Sequence, residues 1–368
     1  MDPKPIVDST TAHYVDTLVP IEQSKQFPFH TSFPVLVRGL GEYFHVVAMD
    51  ESGQEAWHVA LDHHGSAVSA VTHIPMSFVS GMTTCGGNLI VTGAYHEDNQ
   101  PVVVNLDQRG MLQWQAKLPS VGSLLRWPQP VCLNDQIYLI WETGTDISTF
   151  WTCEAQREAC GPPMLLQFDD PTIQLNVISA AHGLTMVRTH SNPVRLELLR
   201  LVNGQILQRI TIAEEAELRT PSLVLLDEYY VVLWIAQWGH ELRLQWFDWK
   251  LSPLSSPQTL LSVSGSSHLH SAQFIQGDPG YLAISYKTRA VGKDWVMFHN
   301  TDTTPVRYEP KHTYEQFIGV YPWKSDGIYP CHRIVPPSVT YDSCDWRGNT
   351  LLLVHGQRDA VVSVYQGQ

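Results

Sequence analysis

The chain has 368 residues, more than the roughly 250–300 that a single hydrophobic core usually serves, so we expect two domains or one repetitive architecture. Apolar residues make up 43% of the chain and charged residues 16%, which excludes a disordered protein. The 36 acidic and 23 basic residues leave a formal charge of −13, and no basic run offsets it, which argues against nucleic acid as a partner.

The N-terminal residues, MDPKPIVDSTTAHYV, lack the basic and then apolar segments of a signal peptide. We therefore expect a soluble, cytoplasmic protein, or a periplasmic or secreted one if a leader has been removed. The longest apolar run, at 220–238, is interrupted by Asp227 and Glu228 and is not expected to span a membrane.

The cysteines are sparse, with six in the whole chain, which is too few for a disulfide framework. We expect them to be buried free thiols. A bridge between Cys153 and Cys160 across a hairpin is the alternative.

The first apolar strand predicted along the chain is FPVLVRGL from Phe33, and a hairpin follows it at 45–61, HVVAMDESGQEAWHVAL. In this segment an apolar run reaches Asp50, a turn contains Gly53, and Trp57 opens a second apolar run. Alternating β-branched residues on both sides of an Asp and Gly turn are typical of two antiparallel strands. The Gly suits a turn with positive φ, and the Trp is expected to pack between neighbouring sheets.

The same pattern returns at 102–118, VVVNLDQRGMLQWQAKL, with Asp107, Gly110 and Trp114 in the corresponding places. A third copy, LELLRLVNGQILQRITI at 196–212, keeps an Asn-Gly turn but lacks the Trp. Weaker copies lie at 243–253, at 296–304 and at the chain end. The hairpin is therefore predicted to be a repeated module.

Each later hairpin follows another strand that is apolar throughout. The first core positions of these strands are 89, 137, 184, 229, 281 and 350, which gives spacings of 48, 47, 45, 52 and 69 residues. Repeats of about 40–50 residues with several short strands and little helical periodicity are typical of a β-propeller, in which each sheet buries its faces against its neighbours. With FPVLVRGL included, the sequence predicts an all-β, seven-bladed β-propeller that forms a single domain over 1–368.

The last strand, in VVSVYQGQ, has no sequence after it that would supply an outermost partner. An open ring would leave two exposed edge strands. We therefore expect the N-terminal segment HYVDTLVPI at 13–21 to pair with the C-terminal blade and close the ring.

The phrase V-x-x-D-x-x-G-x-x-x-W, complete in the copies at 45–61 and 102–118, resembles the repeat of the PQQ-like propellers. That superfamily includes the quinoprotein dehydrogenases and an outer-membrane assembly lipoprotein. The dehydrogenases are longer, have eight blades and use two adjacent cysteines beside a calcium site. No two cysteines are adjacent here, so the resemblance implies the fold without a PQQ cofactor, and the non-enzymatic members imply protein binding through blade-top loops.

In a propeller, the segments that enter the inner strands gather at one mouth of the central channel, so residues far apart in sequence converge there. Polar and aromatic residues in or just before those strands are therefore candidates for a functional site. They are His30, His73, Ser77, Arg126, Trp127, Arg219, His268, His270 and His332.

Two of these candidates, His268 and His270, are separated by one residue on a predicted strand, so both side chains should lie on the same face. Two such imidazoles suit a single zinc, copper or iron ion, with His332 or His30 as a third ligand. The chain has 17 histidines, so this spacing also arises by chance. The alternative is a pair of solvated or hydrogen-bonded histidines.

An insertion at about 303–333 is predicted to be a long loop at the channel mouth, between the sixth hairpin and the seventh inner strand. Its aromatic residues are Tyr308, Tyr314, Phe317, Tyr321, Trp323 and Tyr329. Three interpretations stay open: a self-packed loop that covers the ring closure, a hot spot for a protein partner, or a lid over a small ligand.

The sequence contains no nucleophile elbow, phosphate-binding loop or metalloprotease motif. The first functional hypothesis is therefore a non-catalytic scaffold that binds a protein partner through its blade-top loops, with the aromatics of 303–333, Trp127 and His30 as contacts. The alternative is an enzyme, either a lyase, a hydrolase or a metal-dependent oxidoreductase, that acts on a small anionic ligand at the channel mouth. Its arginines would orient a carboxylate and its histidines would move protons. The residues assigned to it are His268, His270, His332, Arg219 and Arg126.

Overall fold

The structure is a computed structural model of the whole chain. It describes residues 18–20, 25–26, 35–50, 52–94, 100–118, 129–142, 147–154, 164–167, 172–180, 183–190, 193–202, 205–215, 217–226, 228–264, 267–275, 281–298, 307–324, 327–328, 333–334, 343–347, 350–355 and 361–367.

These residues form β-strands and one short 3-10 helix, Gln237–Gly239. The first strands are β1 (Leu18–Pro20) and β2 (Lys25–Gln26). Sheet 1 contains β3 (Leu36–Leu40), β4 (Tyr43–Met49), β5 (Ala56–Leu61) and β6 (Thr72–Ile74). Sheet 2 contains β7 (Phe78–Cys85), β8 (Asn88–Ala94), β9 (Pro101–Leu106) and β10 (Leu112–Lys117). Sheet 3 contains β11 (Gln129–Leu133), β12 (Gln136–Glu142), β13 (Ile147–Glu154) and β14 (Met164–Gln167). Sheet 4 contains β15 (Thr172–Ala180), β16 (Gly183–His190), β17 (Arg195–Val202) and β18 (Gln205–Glu214).

The strands of the second half follow the same plan. Sheet 5 contains β19 (Arg219–Leu226), β20 (Tyr229–Ala236), β21 (Glu241–Phe247) and β22 (Gln258–Ser262). Sheet 6 contains β23 (Ser267–Ile275), β24 (Tyr281–Phe298), β25 (Arg307–Lys324), β26 (Gly327–Ile328) and β27 (Arg333–Ile334). Sheet 7 contains β28 (Ser343–Arg347), β29 (Thr350–His355) and β30 (Val361–Gly367), with β1 and β2 beside β30.

In sheets 1 to 5, strands that follow one another in the chain pair antiparallel, so each of these sheets is a meander. In sheet 6 both β26 and β27 pair with β25, and in sheet 7 both β1 and β2 pair with β30. The first strands of successive sheets contact one another in chain order, and β28 of sheet 7 also contacts β3 of sheet 1. The fold is therefore an all-β β-propeller, as the repeat predicts. The chain enters every first strand at one end of the propeller, here called the entry end, and the connections between second and third strands lie at that end too. The third strand is joined to the fourth at the opposite end.

The continuous apolar sequence of the second strands follows from burial on both faces. In β4, Val46 and Ala48 pack in a cluster with Leu352 of sheet 7, whereas Val47 and Met49 pack with residues of sheet 2. A strand that is covered by a neighbouring sheet on each side has two apolar faces, so its sequence lacks alternating polar residues. The predicted series of apolar strands corresponds to the second strands β8, β12, β16, β20, β24 and β29. FPVLVRGL is the exception, because it contains β3, the first strand of its sheet, and β4 is the true equivalent.

The turn between third and fourth strands is a shared module at the opposite end. In sheet 2, one oxygen of the Asp107 carboxylate accepts hydrogen bonds from the backbone N–H groups of Arg109 at 2.8 Å and Met111 at 2.9 Å. The carbonyl of Asp107 accepts a third from Gly110, whose φ is +79°. The same bonds recur in the turns 62–66 and 248–252 of sheets 1 and 5. Asp recurs at this position of the repeat because one Asp can accept hydrogen bonds from several N–H groups of the turn.

The alignment of Asp50 with Asp107 is wrong in its register. Asp50 joins the second strand of sheet 1 to the third, at the entry end, whereas Asp107 joins the third strand of sheet 2 to the fourth. The residue of sheet 1 that matches Asp107 is Asp62. The two hairpins look alike because both need an Asp-capped turn with a Gly at positive φ, which is +67° at Gly53.

A long hairpin replaces the loop predicted at 303–333. Residues 307–324 form β25, which pairs with β24 from Arg307 opposite Phe298 to Pro322 opposite Tyr281. The prediction of a loop is therefore wrong for this stretch, and residues 296–298, predicted to belong to a separate hairpin, continue β24.

The two ends of the described chain lie in the same sheet. Leu18 pairs with Gly367, Val19 with Gln366 and Pro20 with Tyr365, in an antiparallel register. Lys25 and Gln26 of β2 pair with the other end of β30. The residues at 13–17 of the predicted closing segment lie outside the described part.

A disulfide joins Cys85, at the end of β7, to Cys132, near the end of β11. The prediction of six free thiols is therefore wrong for this pair. The bridge connects the first strands of sheets 2 and 3 at the end opposite the entry end. Sequence spacing gave no sign of it, because the two residues are 47 positions apart and meet only when the sheets stack. Cys160 of the alternative bridge lies outside the described residues.

Replacing both cysteines with alanine should lower the free energy of unfolding by about 2 to 3 kcal/mol, because the bridge restricts the unfolded chain across a long loop. Urea unfolding of the two proteins measures this difference. Dithiothreitol should lower the stability of the wild type by a similar amount and leave the double variant unchanged. A wild type that does not respond to reductant would contradict the assignment.

A pair of buried histidines lies between sheets 1 and 2. His45 Nδ1 and His58 Nε2 are 2.9 Å apart and share a hydrogen bond, and both residues are fully buried. Burial, followed by repulsion from His45, lowers the pKa of His58 to about 3, against a smaller opposing attraction from Asp107. His58 is therefore neutral at neutral pH and resists protonation in the folded protein.

Acid should destabilise the protein through His58. Its pKa is lower in the folded state than its ordinary 6.5, so below pH 6.5 the unfolded chain binds a proton that the folded chain does not. Stability is then lost as the pH falls from 6.5 towards 3, by about 2 kcal/mol at pH 5. Urea unfolding across this range, compared between wild type and His58→Gln, should show a flatter profile for the variant, whereas His63→Gln, on an exposed turn, should keep the wild-type slope. Equal slopes in all three proteins would contradict the assignment.

A charged cluster is buried in sheet 4. Glu197 Oε2 accepts hydrogen bonds from Arg188 Nη2 at 3.0 Å and His190 Nε2 at 2.6 Å, and Oε1 forms an ion pair with Arg195, whose Nε lies 3.0 Å away. Arg188, His190 and Glu197 are almost completely buried. Burial alone would raise the pKa of Glu197, but hydrogen bonding and charge from His190 and Arg188 outweigh it and hold the pKa at about 2. The cluster is therefore a compensated group of charges inside the core.

Candidate functional site

The turn that joins β20 to β21 at the entry end has an unusual backbone. Gln237, Trp238 and Gly239 have φ values of +50°, +59° and +86°. Two consecutive non-glycine residues in the left-handed region cost about 1–3 kcal/mol each, and such strain persists only where the surroundings enforce it. Strained positions of this kind cluster at functional sites. The turn, 237–240, is therefore the first candidate.

The strained turn presents a tryptophan to solvent. Trp238 is 63% exposed, the largest exposed fraction among the large apolar side chains of the described residues. An exposed Trp offers a large rigid surface at small entropic cost when a partner covers it. A Trp ring packed in the core would not require a backbone in the left-handed region. The exposed ring therefore points to a role other than stabilising the fold.

Contacts with the next sheet hold this turn in place. Gly239 lies so close to β23 that a Cβ at this position would be 3.0 Å from the carbonyl oxygen of Leu269. The rings of His240 and His268 are 4.6 Å apart, and His268 Nδ1 lies 3.2 Å from the carbonyl oxygen of Trp238. His268 therefore supports the Trp238 backbone.

On its other side the turn adjoins a charged network. Arg243 forms ion pairs with Glu215 and with Glu241, whose Oε2 is 2.7 Å from Arg243 Nε. The Gln237 side chain joins them, donating to Glu241 Oε1 at 3.1 Å and accepting from Arg243 Nη2 at 2.6 Å. Glu241 also accepts a hydrogen bond from Thr259 at 3.3 Å. The network explains how the left-handed conformation at Gln237 is enforced.

A cluster of basic residues, Arg219, Lys287 and Arg289, lies where sheets 5 and 6 meet. This basic cluster is nearer to the first strands of the two sheets than the turn 237–240 is. Arg219 begins β19, and its side chain is 48% exposed and paired with Glu217. Partial burial, followed by the charges of Arg289, Lys287 and Arg219, lowers the pKa of His270. The structure thus brings two predicted residues, Arg219 and His270, into one neighbourhood, and it adds Lys287 and Arg289 of β24.

The two histidines predicted as a metal pair have separate surroundings. The strand carries a bulge between Leu269 and Ser271, and His270 occupies it, so the alternation that would align His270 with His268 is interrupted. Within the described ranges, no group of three or more His, Cys, Asp or Glu residues is placed to hold a metal ion. The metal site stays a prediction.

His73 lies on β6, and the Ser77 hydroxyl donates a hydrogen bond to the carbonyl of Ala94 at 2.9 Å. The other predicted residues divide into three groups. His30, Arg126, Trp127, Tyr329 and His332 lie outside the described residues. Tyr308, Tyr314, Tyr321 and Trp323 lie on β25, where the backbone alone is described. Phe317 is wrong as an exposed contact: it is 5% exposed and stacks on Tyr286 with ring centroids 5.2 Å apart.

Trp238, Gln237 and Arg243 are not among the residues predicted from the sequence. The dipeptide Trp-Gly, one residue after the apolar strand YYVVLWIA, was a usable signal, because a glycine there marks a tight turn and leaves the Trp outside the strand. No sequence rule predicts positive φ at Gln and Trp. That conformation depends on contacts with residues 215, 241, 243 and 268.

No protein-family model and no curated protein matches the sequence. Several solved structures are similar in fold. The β-propeller domain of Cps50 (Swd1) from Myceliophteria thermophila is 10% identical with a TM-score of 0.55, and the match covers 94% of this chain and 100% of that chain. A chain in the structure of a mitotic checkpoint complex is 9% identical with a TM-score of 0.55 and 98% of each chain covered.

BamB from Moraxella catarrhalis is also similar, at 13% identity and a TM-score of 0.47, with 95% of this chain and 98% of that chain covered. At these identities the comparisons show the β-propeller fold and leave activity open. Among the described residues no helix is long and apolar enough to cross a membrane.

Proposed function

We propose that this chain is a non-catalytic β-propeller that binds a protein partner through its entry end, with Trp238 as the anchor residue. The observation that carries the proposal is the conformation of Trp238, a largely exposed aromatic on two strained left-handed residues. The strain has no use in packing the core, because the Trp238 side chain lies outside it. The strained backbone holds the Trp238 ring in a position where a partner can bury it.

The architecture proposed for this role is one rigid ring over the whole chain. We infer that the seven sheets are seven blades and that β1 and β30 close the ring, in line with their antiparallel pairing and with the contact between β28 and β3. A closed ring holds the entry-end turns at fixed positions, which lowers the entropic cost of binding. The similar chain in the mitotic checkpoint complex is part of a complex, which accords with this proposal.

The compartment forms part of the same proposal. Structural disulfides are rare in cytosolic proteins and persist in oxidising compartments. The Cys85–Cys132 bridge therefore supports the periplasmic or secreted alternative over the cytoplasm. Thiol titration of protein taken from its native source under alkylating conditions tests this, and free thiols at both positions would contradict it.

The binding proposal is tested with a matched pair of tryptophan variants. Trp249 is 42% exposed on the turn 248–252 at the opposite end and serves as the control. In affinity capture from the native source, Trp238→Ala should lose the partner, with an affinity at least about tenfold weaker, because anchor residues contribute about 2 kcal/mol or more. Trp249→Ala should retain it.

The complex captured with the wild type is then examined by native mass spectrometry to give its stoichiometry. Urea unfolding of both variants checks that the difference lies in binding and not in folding. Equal capture by Trp238→Ala and the wild type would overturn the assignment of Trp238 as the anchor.

A further inference from the structure

The basic cluster at the entry end is built from two sheets that are locked together. Thr220 Oγ1 lies 3.3 Å from the N–H of Ala272, and Ser222 Oγ lies 3.1 Å from the N–H of Phe274, so β19 runs directly beside β23. Arg219, the residue before Thr220, is thereby placed level with the bulge of β23. Its position is set by the backbone of two neighbouring sheets.

The bulge arranges the other members. Leu269 pairs with Thr288 and Ser271 pairs with Lys287, so His270 is the extra residue that projects from the ladder between them. His268 pairs with Arg289. Lys287 and Arg289 are two residues apart on β24, so their side chains leave the same face of the strand. One histidine and three cations therefore share the corner where β19, β23 and β24 meet.

This concentration of positive charge stands out in a chain whose formal charge is −13. Like charges gathered at one place repel one another, and the corner is stabilised when an anion enters it. Guanidinium groups bind carboxylate and phosphate oxygens in a bidentate manner, and Lys supplies a compact point charge. The lowered pKa of His270 leaves a neutral imidazole, which can donate one N–H to an oxygen without adding a fourth charge.

We propose that Arg219, His270, Lys287 and Arg289 form a binding site for an oxyanion that carries two or more negative charges. The site shares no residue with the proposed anchor at Trp238, because the turn is contacted by His268, which pairs with Arg289 but is not one of the four residues. Glu217 pairs with Arg219 and is an acid that a bound anion would displace or bridge. Bulges beside a binding site commonly redirect one side chain towards the ligand. In this site the redirected side chain is that of His270.

The test titrates the full chain with inorganic phosphate and, separately, with citrate, using sodium chloride at matched ionic strength as the control for screening. Isothermal titration calorimetry should show one saturable site for at least one of the two anions, and the thermal midpoint should rise with it. Binding of phosphate alone identifies a phosphate site, and binding of citrate alone a carboxylate site. A response to both anions that equals the chloride control would overturn the proposal.

Variants separate a built site from general charge attraction. Lys287→Gln and Arg289→Gln should each weaken anion binding about tenfold, because each removes a charged hydrogen bond. Lys250→Gln, which removes a cation at the opposite end, should leave the affinity unchanged. Equal weakening in all three variants, or none in the first two, would contradict the site.

A spectroscopic readout keeps the proposal testable if those variants fold poorly. A bound anion favours the charged imidazolium, so phosphate should move the proton NMR titration of His270 in the wild type to higher pH, with the resonance assigned by its loss in His270→Asn. His63 on its exposed turn should not move beyond the shift that chloride produces. A His270 titration that ignores both anions would overturn the inference, and it would leave the capture experiment with Trp238 unaffected.

Discussion

Replacing Glu197 with glutamine should lower the free energy of unfolding by about 3 to 5 kcal/mol. The variant keeps the shape of the side chain and removes its charge, which leaves the fully buried Arg188 guanidinium without the carboxylate that compensates it. Desolvation makes an uncompensated buried cation far more costly than an exposed one. The folded state therefore loses much more than one hydrogen bond.

Urea unfolding at neutral pH measures this loss, and Glu217→Gln is the matched control. Glu217 also pairs with an arginine, but Arg219 is 48% exposed, and a pair in contact with water contributes about 0–1 kcal/mol. The pH dependence gives a second check. The pKa of Glu197 is lowered to about 2, so its contribution is complete above the ordinary value of 4.5 and is lost as the pH falls from there towards 2. Similar losses in both variants would show that the cluster is not the buried charge centre described here.

Replacing Gly110 with alanine should cost about 3 to 5 kcal/mol. Two effects add at this position. The backbone lies at φ +79°, where an alanine is strained, and the new Cβ would be 2.1 Å from Cε1 and 2.2 Å from Nδ1 of His58. His58 is fully buried and hydrogen-bonded to His45, so its ring has no free space to enter.

Gly87→Ala isolates the backbone effect. Its φ is +78°, almost identical to that of Gly110, but the nearest atom to an added Cβ is Gln108 Nε2 at 4.0 Å. This control should cost about 1 to 2 kcal/mol. The difference between the two variants in urea unfolding measures the steric contact between the turn of sheet 2 and the histidine of sheet 1. Equal costs would mean that the turn and the histidine can move apart freely.

The repeat and the strand pattern in the sequence were sufficient to predict an all-β propeller. Apolar runs such as that of β20 are long enough and distinct enough to be read locally. The register of the repeat could not be predicted from the local sequence, because the turns at Asp50 and at Asp107 contain the same Asp and Gly pattern but lie at opposite ends of the propeller. Local chemistry identifies a turn, whereas the order of the strands around it decides where that turn lies.

The candidate site was less accessible to sequence reasoning. Arg219 and His270 were predicted because they open inner strands, and position along the chain suffices for that. Lys287 and Arg289 lie on a second strand, and only the bulge at His270 brings them to the same corner. Trp238 depends on Arg243 and Glu241 of β21 and on Glu215, which follows the last strand of sheet 4, so its exposure is a tertiary property. The Cys85–Cys132 bridge is of the same kind.

The contact between Gly110 and His58 joins sheet 1 to sheet 2, and the bridge between Cys85 and Cys132 joins sheet 2 to sheet 3. Sheets in a repeat architecture often open one at a time. Sheets 1, 2 and 3 are linked by these two contacts. Their backbone amides should therefore exchange with deuterium together, as one protected block that opens only when the contacts are broken.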